Sequence, residues 1–106
     1  ILPTTTATAE STIQVGNGAW RLVSFQQSDL TASLWTNGTL EDTDTGSGTK
    51  SPQTQLNIAA WYVNLTDSYA RFLNGDIAEI ILYDSALSAT NRQSNETYLN
   101  SKYAIY

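Results

Sequence analysis

Ten carboxylates, three tryptophans and six tyrosines are the side chains of this 106-residue chain best suited to chemistry. Glycoside hydrolysis needs two carboxylates facing each other across a cleft. The nearest approach to such a pair is Asp76-Ile77-Ala78-Glu79. On a strand, residues three apart point to opposite faces, so these two cannot share a cleft. The four glutamates are Glu10, Glu41, Glu79 and Glu96, and no other spacing among them suggests a pair. No catalytic residue is assigned, and a non-enzyme is expected. Asp42-Thr43-Asp44-Thr45-Gly46 briefly imitates an oxygen-ligand calcium loop. An EF-hand loop requires Gly at its sixth position and Glu at its twelfth, and those places hold Ser47 and Gln53. A solvated acidic loop is the favoured reading, with Asp42 and Asp44 as the calcium candidates and no cofactor expected. Sugar sites pair an aromatic platform with amide or carboxylate groups. Trp35, Trp61, Tyr62 and Tyr69, with Asn64 and Asp67 near in sequence, are the candidates for that arrangement. Packing competes for each of these rings; Trp20 is read as a core residue.

Composition removes much else. With no His and no Cys, the usual general base, thiolate metal sites and a disulfide framework are excluded. A net charge of −5 with only five scattered basic residues argues against nucleic acid. No apolar run approaches the ~20 residues of a membrane-spanning helix. Fifteen Thr, eleven Ser and eight Asn beside 10% aromatics favour β-sheet over helix or disorder. Asn37-Gly-Thr, Asn64-Leu-Thr and Asn95-Glu-Thr match glycosylation sequons, which an Asn- and Thr-rich chain produces by chance. The start at Ile1 has no signal-peptide pattern, and the chain reads as a piece of something longer.

The elements that would position these residues are mostly strands. Residues 1–9 read as an extended arm or linker, and 10–106 as one domain. Ser11–Val15 alternates. Trp20–Gln26 carries apolar groups on both faces, as an inner strand does: Trp20, Leu22 and Ser24 on one, Arg21, Val23 and Phe25 on the other. Ala32–Thr36, Asn37-Gly38 and Thr39–Glu41 form a hairpin pattern, because a type I′ turn needs positive φ at both central residues. Residues 42–55 read as a long polar loop and Leu56–Val63 as a buried strand. Asn64–Ala70 reads as a second polar loop, followed by a short Arg71–Leu73 piece. Asp76–Asp84 is the best strand pattern: Ala78, Ile80 and Leu82 face the core, and Ile77, Glu79, Ile81 and Tyr83 face the other way. Ser88 is placed to cap a helix over Ala89–Lys102, docked by Leu99 and Tyr103 with Tyr98 beside them.

Two stretches resemble one family. Trp20-Arg21-Leu22-Val23 followed by Leu34-Trp35-Thr36-Asn37-Gly38 looks like a hairpin of laminin-G-like, concanavalin A-like jelly-roll domains. Phe72 through Tyr83, then Ala86-Leu87-Ser88, Arg92, Tyr98-Leu99 and Lys102-Tyr103, is similar to the closing strand and helix of the same domains. The resemblance implies an all-β fold: an antiparallel β-sandwich of the jelly-roll, concanavalin A-like kind with one short C-terminal α-helix. It covers the second half of such a domain. The usual N-terminal strands are not found before Trp20, so the domain is abbreviated or those strands come from an earlier segment or another chain. The resemblance makes Asp76 and Glu79 structural, paired with Arg71 or Arg92.

An incomplete sandwich exposes apolar faces and edges unless something covers them. The expectation is therefore a module of a larger surface or virion protein, such as a phage decoration or fibre component, serving assembly and recognition. Its partner is another protein or a second copy, without nucleic acid or membrane, at an extracellular or virion surface. The alternative is a lectin-like, carbohydrate-binding module of a secreted bacterial enzyme or adhesin, with a glycan as ligand.

Overall fold

The computed structural model describes residues 9–10, 18–48, 58, 61–63, 68–70 and 74–106, with only the backbone for 61–63 and 68–70. The chain divides into two compact units, Ile1–Lys50 with Ile81–Tyr106, and Ser51–Ile80. The expected arm at 1–9 and the strand Ser11–Val15 fall almost wholly outside the described residues.

The first unit is built on an antiparallel sheet of three sequential strands, β1 (Val23–Ser28), β2 (Thr31–Thr36) and β3 (Thr39–Thr45). Asn37 and Gly38 join β2 to β3 at φ of 50° and 78°, the double positive φ that Asn-Gly favours. Asn37 also extends the β1–β2 ladder: its N–H donates to Leu22 O (2.8 Å), and its Oδ1 accepts from Leu22 N (3.0 Å). The β1–β2 turn is Asp29-Leu30, with Asp29 at φ 52°. Asp tolerates the left-handed region better than most residues, but its signal is far weaker than Asn-Gly.

Strand β3 runs to Thr45, so the first residues of the expected 42–55 loop are strand. The reason is visible across the sheet. Thr31 and Thr45 hydroxyls meet at 3.0 Å and Ser33 and Thr43 at 3.2 Å, and the β-branched threonines suit the pleat. A register shift at Leu34/Trp35, where Asp42 opposes Leu34 but Leu40 opposes Trp35, takes up Glu41 as a bulge.

The helix α1 spans Ala89–Tyr103, one residue longer than the pattern suggests. Ser88 caps it, Oγ accepting from Asn91 N at 3.2 Å. The first turn carries no acidic residue to share that work. Ser88→Ala is expected to destabilise the fold by about 1 kcal/mol, measured by urea unfolding; an unchanged midpoint would deny the cap its role. At the other end Ala104 adopts the left-handed conformation (φ 52°). Asn100 Oδ1 compensates by accepting from Ile105 N (2.9 Å) and Tyr106 N (2.7 Å).

The second unit contains a two-stranded antiparallel pair, β4 (Trp61–Val63) and β5 (Ser68–Ala70). Residues 68–70, expected in a loop, are thus a strand. Backbone pairing with β4 overrides a sequence too short and polar to announce itself.

Three further expectations are corrected. Residues 76–84 form no strand, and their side chains are exposed. A strand is held by its ladder, and among the described residues no other strand pairs with this segment. Trp20, expected in the core, is 56% exposed. Among the described residues only Leu22 and Ala32 form a buried apolar core, too little to enclose an indole. Finally, of the expected stripe Leu99 is half-buried while Tyr98 and Tyr103 are exposed, and the buried residue of the helix is Glu96. A polar attachment carries the buried contact, with Leu99 alone left of the expected apolar stripe.

Candidate functional site

Cross-strand partners share a face of a sheet, so the register sorts the side chains. One face carries Ser24 with Trp35 and Leu40, Gln26 with Ser33 and Thr43, and Ser28 with Thr31 and Thr45. The other carries Val23 with Thr36, Phe25 with Leu34, and Ala32 with Asp44. The first face is therefore uncharged and rich in hydroxyls, with the Trp35 indole and the exposed Leu40 at its end. The second is where Ala32 and Thr36 are buried, while Val23 and Phe25 on the flanking strand stay exposed.

The helix is attached at the Trp35 end of the hydroxyl face. Glu96 is 4% exposed. Its Oε1 accepts from Ser24 Oγ at 2.9 Å and from Arg92 Nη1 at 2.7 Å. The Arg92 guanidinium in turn lies 4.2 Å from the centre of the Trp35 ring, a cation–π contact. Helical spacing places Arg92 and Glu96 one turn apart on one face, and both reach the sheet. The hairpin tip closes the same junction: a Cβ on Gly38 would lie 3.0 Å from the Tyr106 hydroxyl and 3.6 Å from Glu96 Oε2. Glu96 thus ties the helix to β1 directly and, through Arg92 over Trp35, to β2.

This junction engages Trp35 structurally, since Arg92 covers part of the ring that a sugar would stack on. Of the other aromatic candidates, Tyr62 and Tyr69 are brought to one register position, directly opposite across β4 and β5, and Trp61 lies opposite Ala70. Asn64 and Asp67 lie outside the described residues. Asp42 and Asp44 sit in strand β3, and Asp42 Oδ2 accepts the Glu10 N–H at 2.8 Å. Among the described residues no three acidic side chains gather as a metal site would require. Arg92, a suggested partner of Asp76 or Glu79, pairs with Glu96 on its own helix. The Arg92–Glu96 spacing was readable as a helical pair; that it is buried against Ser24 was not, because nothing local to the helix specifies its neighbour.

The described structure is a mostly β fold with one helix at its C-terminal end. No family model matches the chain, and no curated protein matches it. Among solved structures it is similar to a segment, residues 221–444, of an S-layer domain-containing protein from Clostridium thermocellum ATCC 27405, at 21% identity and a TM-score of 0.59. The match covers 81% of this chain and 43% of the other, so the chain spans less than half of that neighbour. At this identity the likeness concerns the fold alone. Among the described residues no helix is long and apolar enough to cross a membrane.

Proposed function

We propose that this chain is a non-enzymatic module of a larger extracellular or virion-surface protein, part of a laminin-G-like β-sandwich, and that its work is assembly. The observation that carries the reading is the exposed apolar surface of β1, Val23 and Phe25, with Phe25 62% exposed. Large side chains grouped in this way on a small sheet mark a surface that another layer covers. The S-layer neighbour supports a surface setting, since its name describes a surface-layer protein. Sedimentation velocity at micromolar concentration is expected to find the chain associated, and Phe25→Ser to shift it toward monomer. A clean monomer before substitution overturns the reading.

One observation favours a second reading, a carbohydrate-binding module. Each paired hydroxyl set, Thr31 with Thr45 and Ser33 with Thr43, uses one of its two O–H donors internally. The remaining donor and the spare lone pairs face outward from an uncharged surface, which suits a neutral glycan. That reading expects saturable binding on a glycan array, abolished by Trp35→Ala. The assembly reading expects none.

A further inference from the structure

We infer that the outer edge of β1 is a self-complementary seam. It pairs antiparallel with β1 of a second copy about a two-fold axis at Phe25, joining two three-stranded sheets into one. This rests on the assembly reading in taking Val23 and Phe25 as contact surface. It deepens that reading by naming the partner, the register and the main-chain bonds that hold it.

The hydrogen-bond phase of the hairpin leaves the edge open. β1 lies at one end of the strand order β1-β2-β3. Leu22 exchanges hydrogen bonds with Asn37 at the end of β2, and residues of an antiparallel pair alternate between bonded and unbonded. Ser24, Gln26 and Ser28 therefore bond inward to β2, and the N–H and C=O of Val23, Phe25 and Gln27 point out along the edge. Among the described residues no other strand pairs there, and the same three residues are exposed. Edge strands are normally blunted by charge, proline or a bulge. At the opposite edge β3 carries Glu41, Asp42 and Asp44, with the bulge at Glu41. β1, Val-Ser-Phe-Gln-Gln-Ser, has neither charge nor proline, and its pairing with β2 has no register shift.

Charge and symmetry select a second copy as the occupant. Arg21 and Asp29 flank the strand, each four residues from Phe25. Neither makes an ion pair among the described residues, and the buried Nε of Arg21 has no hydrogen-bond partner. An antiparallel pair centred on Phe25 sets Val23 opposite Gln27 of the second copy and Phe25 opposite its own equivalent. Each of these pairs is of the bonded kind, giving about six main-chain bonds across the seam. The same register brings Arg21 against Asp29 of the second copy at both ends, and opposite charges across a pair stabilise it. Moving the axis by one residue sets Arg21 against Gln27 or past the turn, and the charge pairing is lost. The two-fold stands perpendicular to the sheet, so like faces continue across the seam and the two Phe25 rings meet at its centre, an isologous contact.

The test uses the 106-residue chain, which has no cysteine of its own. Val23→Cys and Gln27→Cys are incubated alone and mixed in a glutathione redox buffer. The register sets Cα of residue 23 about 5.5 Å from Cα of residue 27 in the second copy, within disulfide reach. Each position lies about 14 Å from its own equivalent, beyond that reach. A disulfide dimer is expected to form at least about tenfold faster in the mixture than in either variant alone, and equal rates overturn the inference. Gln27→Pro removes an outward N–H from each copy without touching the β1–β2 ladder. With the parent's circular dichroism it should associate at least about tenfold more weakly in sedimentation, and parental strength overturns the inference. Arg21→Glu should weaken association about tenfold, as two end pairs changing from attraction to repulsion imply. Arg21→Glu/Asp29→Lys should restore it, and a folded double variant without rescue overturns the register. A chain that associates but gives no mixed disulfide overturns the seam and leaves the assembly reading standing. A clean monomer overturns the assembly reading itself, and the seam with it.

Discussion

Glu96→Ala is expected to cost the fold about 3 kcal/mol, the scale for removing one partner of a buried ion pair. The loss has three parts. Arg92, whose side chain is only 13% exposed, keeps its charge without the carboxylate 2.7 Å away. Ser24 Oγ loses its acceptor on the sheet. The helix loses its buried contact, since no apolar side chain in α1 is buried. Glu96→Gln keeps the shape and an oxygen for Ser24 but removes the charge, and should cost less than Glu96→Ala. A double-mutant cycle with Arg92→Ala should return a coupling of about 1–3 kcal/mol, because the two side chains are in direct contact. Gln93→Ala, at an exposed position on the same helix, should stay within about 0.5 kcal/mol of the parent. Urea unfolding followed by tryptophan fluorescence reads all of these, and Trp35 beneath Arg92 lies at the affected junction. A Glu96→Ala loss under 1 kcal/mol would show that something other than this carboxylate holds the helix to the sheet.

Gly38→Ala is expected to cost about 2 kcal/mol for two separable reasons. The first is conformational: at φ 78° an L-residue bears roughly 1–2 kcal/mol of strain. The second is contact, because the new methyl would meet the Tyr106 hydroxyl at 3.0 Å. Gly18, at φ 85°, has nothing within 4 Å of where a Cβ would stand, so Gly18→Ala reports the strain without the contact. The excess of Gly38→Ala over Gly18→Ala should shrink in a Tyr106→Phe background, where the hydroxyl is gone and the next ring atom is 3.7 Å away. Thermal unfolding of the parent, Tyr106→Phe and each glycine variant in both backgrounds gives the comparison. An excess unchanged by Tyr106→Phe would mean that the turn does not press on Tyr106.

The elements legible in the sequence are those whose information is local. Asn37-Gly38 specifies its turn because few residues other than Gly and Asn accept positive φ at both positions. Ser88 specifies the start of α1 because its own hydroxyl satisfies an amide three residues on. The Asp29-Leu30 turn was illegible, since Asp29 is a weak turn former without a following Gly. Strand β5 was illegible because Ser68-Tyr69-Ala70 becomes a strand only through β4. Of the candidate site, the sequence named Trp35 and supplied the Arg92–Glu96 spacing. It could not show that these meet each other and Ser24, which is 72 residues from Glu96.

Asp76–Asp84 shows the same division from the other side. Its run of β-prone apolar residues is a local property, and the sequence reads as a strand there. Pairing is not local: a strand exists by hydrogen bonds to a neighbour, and among the described residues that neighbour is missing. By itself, then, the sequence determined the mostly β character, the Asn-Gly hairpin, the capped helix and the absence of cysteine or histidine chemistry. Each follows from the propensity or functional groups of residues adjacent in the chain. Only the tertiary structure decided that the helix is pinned by a buried carboxylate rather than an apolar stripe, that one sheet face is a field of hydroxyls, and that the strongest strand pattern stands exposed. Those outcomes depend on which distant residues meet, and burial and pairing are properties of the meeting rather than of either residue alone.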